Sequence, residues 1–327
     1  MCEVNAFALR TFQHWILMSI KDSRTSMIQT PGIVCALTGG FFMGIKTERE
    51  IAQLAQMACI WEACAAKPGN VNRSSDFSNT SLEDFLLSAI AIGPAFENAA
   101  CVGVGQTILR AAEDTHRWVR SNTNLGLILL LAPLVKACLA AADVKDIRKS
   151  LNLTLNSLTV EDARHTYAAI RFVQPGGLGH APQADVAEEP AITLLQAMAL
   201  AKDRDAIARE YVTGFAIAFE TGLPALKEAL ARRADFSSAV VQAFLTILSQ
   251  VPDTLIARKR GWEAARLVSQ KAMEVLSLGG VVTPEGRAGL AEMDRALRDE
   301  SHALNPGTTA DLTAASIFLA LLDAEIS

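Results

Sequence analysis

This chain has no Cys-x-x-Cys pair, and neither His-x-His nor His-x-x-x-His occurs among its five histidines. The usual zinc frameworks are therefore not expected, and Cys2, Cys35, Cys59, Cys64, Cys101 and Cys138 read as reduced thiols of a cytoplasmic protein. Basic excess is also missing: 30 Lys and Arg stand against 35 Asp and Glu, a formal charge of −5. That argues against a general nucleic-acid binder, but not against a small anion held by a few local cations. Aromatic residues make up only 6% and alternating strand patterns are nearly absent. The most apolar run, residues 125–142, is interrupted by Pro133 and Lys136, short of the ~20 clean residues a membrane span needs. A buried central helix is the expectation there. Lys21, Asp22 and Arg24 likewise break any hydrophobic targeting core near the start.

What is present is helix-forming sequence. Half of the 327 residues are hydrophobic, and Ala and Leu dominate, which favours helices packed on helices. The expected fold is all-α, a compact single-domain multi-helix bundle over residues 47–327. Thr47 and Glu50 form a capping box that opens its first helix. The pattern predicts helices over 47–66, 81–93 resuming to 100, 103–118, 122–142, 144–156 and 159–173. After a long Gly-rich and acidic loop at 176–189 it predicts 190–202, 204–220, 224–234, 237–250, 252–259, 261–278, 284–300 and 308–325. Residues 1–46 read as an atypical N-terminal extension. Residues 1–42 lack steady periodicity, and one expectation is that they are not native and that Met43 is the natural start.

Several segments carry chemistry. In Glu62–Arg73 a carboxylate precedes a Lys67-Pro68-Gly69 turn and an Arg. Pro ends a helix, Gly permits close approach of a ligand, and Lys and Arg bind phosphate. Ser121-Asn122-Thr123-Asn124 precedes the most apolar helix. It reads either as plain N-capping or as an anion site at a helix N-terminus. Arg164 and Arg171 share a helical face, either a phosphate clamp or a solvated surface. Gly176, Gly177 and Gly179 form either a helix stop or a loop whose N–H groups wrap a phosphate. Gly103 and Gly105 follow no strand and lack a P-loop Lys, so a nucleotide loop is not expected there. Glu62, Asp76, Asp253 and Asp311 all fall at helix ends or turns. Converging carboxylates of that kind are how a helical protein would hold Mg²⁺ and a polyphosphate.

In this order, Glu62-x4-Lys67-Pro68-Gly69-x-Val71-x-Arg73, Ser121–Gly126, Ala169-Ile170-Arg171-x3-Pro175–Gly179, Pro252-Asp253-Thr254-x3-Arg258 and Asn305–Leu312 resemble the triphosphoribosyl-dephospho-CoA synthase family. The resemblance spans about residues 48–325 and implies an all-α transferase. It would move the triphosphoribosyl group of ATP onto 3′-dephospho-CoA, release adenine, and make a prosthetic-group precursor. This chain departs from the family pattern at Asn72, where an Asp is usual. It has Ser75-Asp76-Phe77-Ser78 for a Gly-x-His-x-Asp-Met run, and Asn124-Leu125 for His-Lys. The departures mark a divergent branch with two alternatives. One is phosphoribosyl transfer from phosphoribosyl pyrophosphate in one-carbon (methanopterin-type) cofactor synthesis. The other is a non-catalytic nucleotide-binding protein.

The roles expected on this footing are as follows. Glu62 or Asp76 activates the acceptor hydroxyl. Lys67, Gly69, Arg73, Asn122, Thr123, Asn124, Arg171, Gly176, Gly177, Gly179 and Arg258 hold phosphates or substrate. Asp253 and Asp311 hold Mg²⁺. The partners expected are small nucleotides including ATP, with no nucleic acid and no membrane; an oligomer is left open.

Overall fold

Residues 46–176, 179, 181, 183–299 and 301–323 are described by the computed structural model. The expectation that residues 1–42 are not native lies outside them. The helices in chain order are α1 Glu48–Cys64, α2 Leu82–Ala91, α3 Gly93–Glu97, α4 Val104–His116, α5 Leu125–Ala140, α6 Ile147–Asn156 and α7 Val160–Val173. They continue with α8 Leu194–Ala201, α9 Ala206–Thr213, α10 Leu223–Ala231, α11 Phe236–Gln250, α12 Thr254–Arg260, α13 Trp262–Ser277, α14 Pro284–Leu297 and α15 Gly307–Leu322. Among the described residues, one isolated bridge between Asn72 and Ser75 is the only β pairing. The fold is all-α, as expected.

The starts follow the capping chemistry. The Thr47–Glu50 box is formed, and equivalent boxes open α2, α7 and α8 at Ser81, Thr159 and Thr193. Each satisfies backbone donors that a helix leaves free at its first turn. Two expected boundaries moved. Pro94 does not end a helix but begins α3, where its missing N–H is harmless. The helix expected over 204–220 is cut at Gly214, which takes a left-handed φ of 64°. After the cut, a π-helical turn at Ala218–Gly222 leads into α10.

α5 and α15 form the centre. Both are apolar almost all round, and nearly every residue of each is buried. They pack on each other, and α1, α11 and the π-helical turn pack around them. Leu130, Leu131 and Leu134 are fully buried, each stabilising the fold by roughly 1.5–3 kcal/mol relative to exposure. Pro133 sits inside α5 without ending it. Its absent N–H leaves the Leu129 carbonyl without its helical donor, and the buried Tyr211 hydroxyl donates to that oxygen at 2.6 Å. Lys136 is accommodated similarly: its ammonium group donates to the carbonyls of Ala99, Ala100 and Val102 at 2.9–3.0 Å. Both interruptions of the apolar run therefore tie another segment, buried α9 in one case and residues 99–102 in the other, to the central helix. Among the described residues no single helix is long and apolar enough to cross a membrane.

Candidate active site

The N-terminus of α5, the start of α15, the C-terminal end of α1 and one face of α12 converge on one cavity of about 810 Å³. That size suits a nucleotide-scale ligand. Its floor carries Asp311, the fifth residue of α15, and Glu62, from the last turn of α1. Asp311 rests so closely on the start of α5 that a Cβ on Gly126 would come within 2.0 Å of its Oδ2. Only glycine allows that approach. Among the described residues Asp311 has no cationic partner at contact distance. Burial, then the Glu62, Asp253 and Asp205 carboxylates, push its pKa well above the usual range, against a smaller opposing effect of Arg258.

Glu62 is buried and its Oε1 lies 3.0 Å from the Lys67 Nζ. Lys67 is fully buried and also donates to the Glu62 and Ala65 carbonyls at the end of α1. It is thus not a phosphate ligand: its charge neutralises Glu62 and its donors close the helix end. Gly69 is likewise corrected. It takes φ +74°, donates its N–H to Asp294 Oδ1 at 2.8 Å, and lies against Leu297. Its freedom serves close packing on α14, not a ligand. Arg298 of the same region donates to the Asn70 carbonyl at 2.8 Å, so the turn is strapped down while Asn70 and Val71 face the cavity. Arg73 and Asp76 are exposed and lie off the cavity wall. Asp76 accepts from the Leu82 N–H at 2.8 Å, supporting the start of α2, which does not fit the base role expected of it.

Asp253 does not fit a metal ligand. Its Oδ1 accepts from the Leu255 and Ile256 N–H groups, capping α12. Its Oδ2 accepts from the N–H and hydroxyl of Thr309, both at 2.7 Å. The carboxylate joins two helix starts and has no oxygen left for a cation. Among the described residues no three His, Cys, Asp or Glu side chains gather as a metal cluster. Burial outweighs these hydrogen bonds and leaves the Asp253 pKa raised.

Asn122, Thr123 and Asn124 all line the cavity. Much of their bonding is internal. Thr123 and Ser88 share a hydroxyl contact of 2.6 Å, and Asn124 donates to the Thr115 hydroxyl at 3.1 Å. These bonds fix the loop so that the α5 N-terminus is aimed inward. Arg171 is turned away: its guanidinium holds the Val186 carbonyl at 2.8 Å and pairs with Glu189. With the Tyr167 hydroxyl on the Ala184 carbonyl at 2.7 Å, it anchors the loop that roofs the cavity. Gly176 and Gly179 line that roof with open space where a side chain would be; Gly177 lies outside the described residues.

The cations that do line the cavity are Arg258, Lys259 and Arg204. Arg258 Nη1 lies 3.5 Å from Asp205. Burial pulls the Lys259 pKa down, against the pull of nearby carboxylates. Arg204 and Lys259 were not singled out from sequence, because nothing local marks a cation of the turn before α9 and one of α12 as lining the same cavity. His302 and Thr166 were also missed. Among the described residues, four buried polar atoms have no hydrogen-bond partner: Thr166 Oγ1, Arg258 Nε, His302 Nδ1 and Asn305 Oδ1. All four residues line this one cavity. Buried polar groups are normally satisfied, so the wall is built for a polar ligand.

A family model described as "ATP:dephospho-CoA triphosphoribosyl transferase" matches residues 48–327. A Pseudomonas fluorescens relative named a 2-(5″-triphosphoribosyl)-3′-dephosphocoenzyme-A synthase is 30% identical over 294 residues, 84% of this chain and 92% of its own. A Klebsiella pneumoniae synthase of that name is 36% identical over 108 residues, 32% of this chain and 37% of its own. A solved Archaeoglobus fulgidus structure named for the same enzyme shares 32% identity with a TM-score of 0.58, covering 73% of this chain and 99% of that one.

Proposed function

We propose, on the premise that this chain belongs to the ATP:dephospho-CoA triphosphoribosyl transferase family, that it moves the triphosphoribosyl group of ATP onto dephospho-CoA inside this cavity. Removing that group from ATP leaves adenine as the other product. The observation that carries the site reading is Asp311, a carboxyl on the cavity floor without a cationic partner, its proton affinity raised by burial and by Glu62.

The chemistry needs a base for the acceptor hydroxyl and support for a departing purine. An ordinary Asp is too weak a base to serve well near neutral pH, and a raised pKa corrects this. Asp311 takes the hydroxyl proton as the C1′–O bond forms. Glu62, paired with Lys67, adds to the proton affinity of Asp311. The triphosphate lies along Arg258, Arg204 and Lys259, with the α5 N-terminus adding its inward N–H groups. Arg258 offers a forked donor set with Nε free. A magnesium requirement, if present, travels with the nucleotide rather than resting on Asp253.

The test is direct. Purified protein is incubated with ATP, Mg²⁺ and dephospho-CoA, and adenine is followed by chromatography. Adenine release that needs dephospho-CoA supports the reading. Pyrophosphate release from phosphoribosyl pyrophosphate, without adenine release from ATP, refutes it in favour of the other donor. Asp311→Asn should lower kcat about 100- to 10,000-fold, the usual range for a lost general base, with nucleotide binding retained. An unchanged kcat removes Asp311 from the mechanism.

A further inference from the structure

Between α14 and α15 the turn at 301–305 places His302 and Asn305 on the cavity wall, beside Phe77 of the segment leading to α2. The His302 ring stacks on Phe77, with centroids 4.0 Å apart and planes 18° from parallel. The backbone of His302 has a φ of 49°, a left-handed conformation that non-glycine residues rarely adopt and that tends to persist where it sets a functional side chain. Asp299 holds that conformation: its carbonyl accepts from His302 N–H, and its carboxylate accepts from Ala303 N–H, at 3.1 and 3.0 Å.

The two ring nitrogens of His302 differ. Nε2 lies 3.4 Å from both the N–H and the hydroxyl of Ser78. A backbone N–H can only donate, so Nε2 accepts, and the proton of the neutral ring sits on Nδ1. Nδ1 is buried and without a partner, as is Oδ1 of Asn305 three residues on. One free donor and one free acceptor thus come from one short turn, on a wall backed by an aromatic stack. Adenine presents the complementary pair: ring nitrogens that accept, and a 6-amino group that donates.

We propose that Phe77, His302 and Asn305 form the purine subsite of this cavity, with His302 donating Nδ1–H to a ring nitrogen of the departing base and Asn305 accepting from its 6-amino group. The inference rests on the transferase reading for its catalytic half. When the C1′–N9 bond breaks, its electron pair passes to the purine, and the His302 hydrogen bond spreads that charge. The acceptor oxygen forms the new bond to C1′ and gives its proton to Asp311. The released base then takes a proton from water, and Asp311 returns its own to water, so the exchange balances. A donor aimed where charge develops acts mainly on kcat. The amide makes the site prefer adenine over a 6-oxo purine, whose oxygen would face the Asn305 oxygen.

The test compares ATP with 1-deaza-ATP and 7-deaza-ATP, which lack the two ring nitrogens that flank the 6-amino group, and with ITP, on wild type, His302→Gly and Asn305→Ala. Glycine suits the left-handed backbone, and His302→Asn serves as a second variant because Asn also tolerates it. Wild type should turn over one of the two deaza analogues about 100-fold more slowly than ATP, the scale of one lost transition-state donor. His302→Gly should turn over ATP and that analogue equally, with KM for ATP little changed, and added imidazole should restore ATP turnover. Equal use of ATP and both deaza analogues by wild type, or undiminished discrimination in His302→Gly and His302→Asn, overturns the His302 role. A binding arm needs no turnover: ATP should protect wild type from thermal unfolding more than ITP does, and Asn305→Ala should erase the difference. Protection by ATP and ITP that is equal in wild type overturns the purine subsite, even if adenine release is confirmed. A preference for ATP without any adenine release sustains the subsite and refutes the transferase reading instead.

Discussion

Asp253 and Asp311 show how one residue type at one kind of position reaches opposite roles. Both fall at helix starts, and both pKa values are raised by burial. Asp253 accepts four hydrogen bonds that join α12 to α15; Asp311 faces the cavity. Asp253→Ala would leave those donors unmet, at about 1–3 kcal/mol for each one that stays buried. The expected outcome is a lower unfolding midpoint in urea, with the Mg²⁺ concentration giving half-maximal rate unchanged at a temperature where the variant is folded. A shifted Mg²⁺ dependence would return Asp253 to the metal. Tyr211 is a second single-residue test. Its hydroxyl supplies the Leu129 carbonyl with the donor that Pro133 removes. Tyr211→Phe should therefore cost about 1–3 kcal/mol, the penalty for a buried acceptor left alone. In a Pro133→Ala background, where the helical N–H returns, the same change should cost clearly less. Equal losses in the two backgrounds would rule out this account of Tyr211.

At the scale of elements, the meeting of α5 and α15 sets the site. Gly126 lets α15 press Asp311, one turn in from its start, onto the beginning of α5. A methyl group there cannot coexist with the carboxylate at 2.0 Å, so Gly126→Ala must push Asp311 aside or part the helices. Helical content by circular dichroism should stay near wild type, because Ala favours helix over Gly. Turnover should fall at least about 10-fold, since a misplacement of an ångström at a reacting group commonly costs about 100-fold. Wild-type turnover in this variant would mean that the contact does not position the base. The roof is held in the same element-level way: Tyr167 and Arg171 of α7 donate to the carbonyls of Ala184 and Val186, which ties the segment at 184–186 to α7.

Across the whole molecule, buried carboxylates give stability a pH signature. Glu210 is fully buried, and burial pushes its carboxyl up to about 7 against two backbone N–H bonds from Ile217 and Ala218. Asp253 and Asp311 are shifted the same way. Each binds its proton more tightly folded than unfolded. The stability this contributes is complete below the unfolded carboxylate value, near 4.5 for Glu, and is lost as pH rises through about 7. The thermal midpoint should therefore fall between pH 5 and pH 8, and Glu210→Gln should flatten that fall. A midpoint that rises over this interval in wild type would contradict the assignment. Glu50, Asp235 and Asp299, whose pKa values are lowered by hydrogen bonds that outweigh desolvation, act in the opposite sense and only at more acid pH.

Helix starts were legible because capping is local: Thr47 with Glu50 and Thr159 with Asp162 announce themselves within four residues. The central place of residues 125–140 was legible because a helix apolar on every side has nowhere else to go. Family membership was legible because five motifs keep their order along the chain. The cut at Gly214 was harder to read, since its Cβ position is filled by Asn152 of α6, a tertiary contact. The site divided in the same way. Glu62 and Asp311 were both named, yet sequence could not separate a carboxylate whose oxygens are filled by N–H groups from one facing open space. Nor could it show that Lys67 folds back on Glu62, or that His302 meets Phe77 across more than two hundred residues. The sequence by itself determined which segments become helices and which stretches carry polar groups at helix ends, because propensity, capping and periodicity act over a few residues. Only the tertiary structure decided which of those groups spend their bonds on the fold and which keep them for a ligand, because that depends on what other helices bring within about 3 Å of each atom.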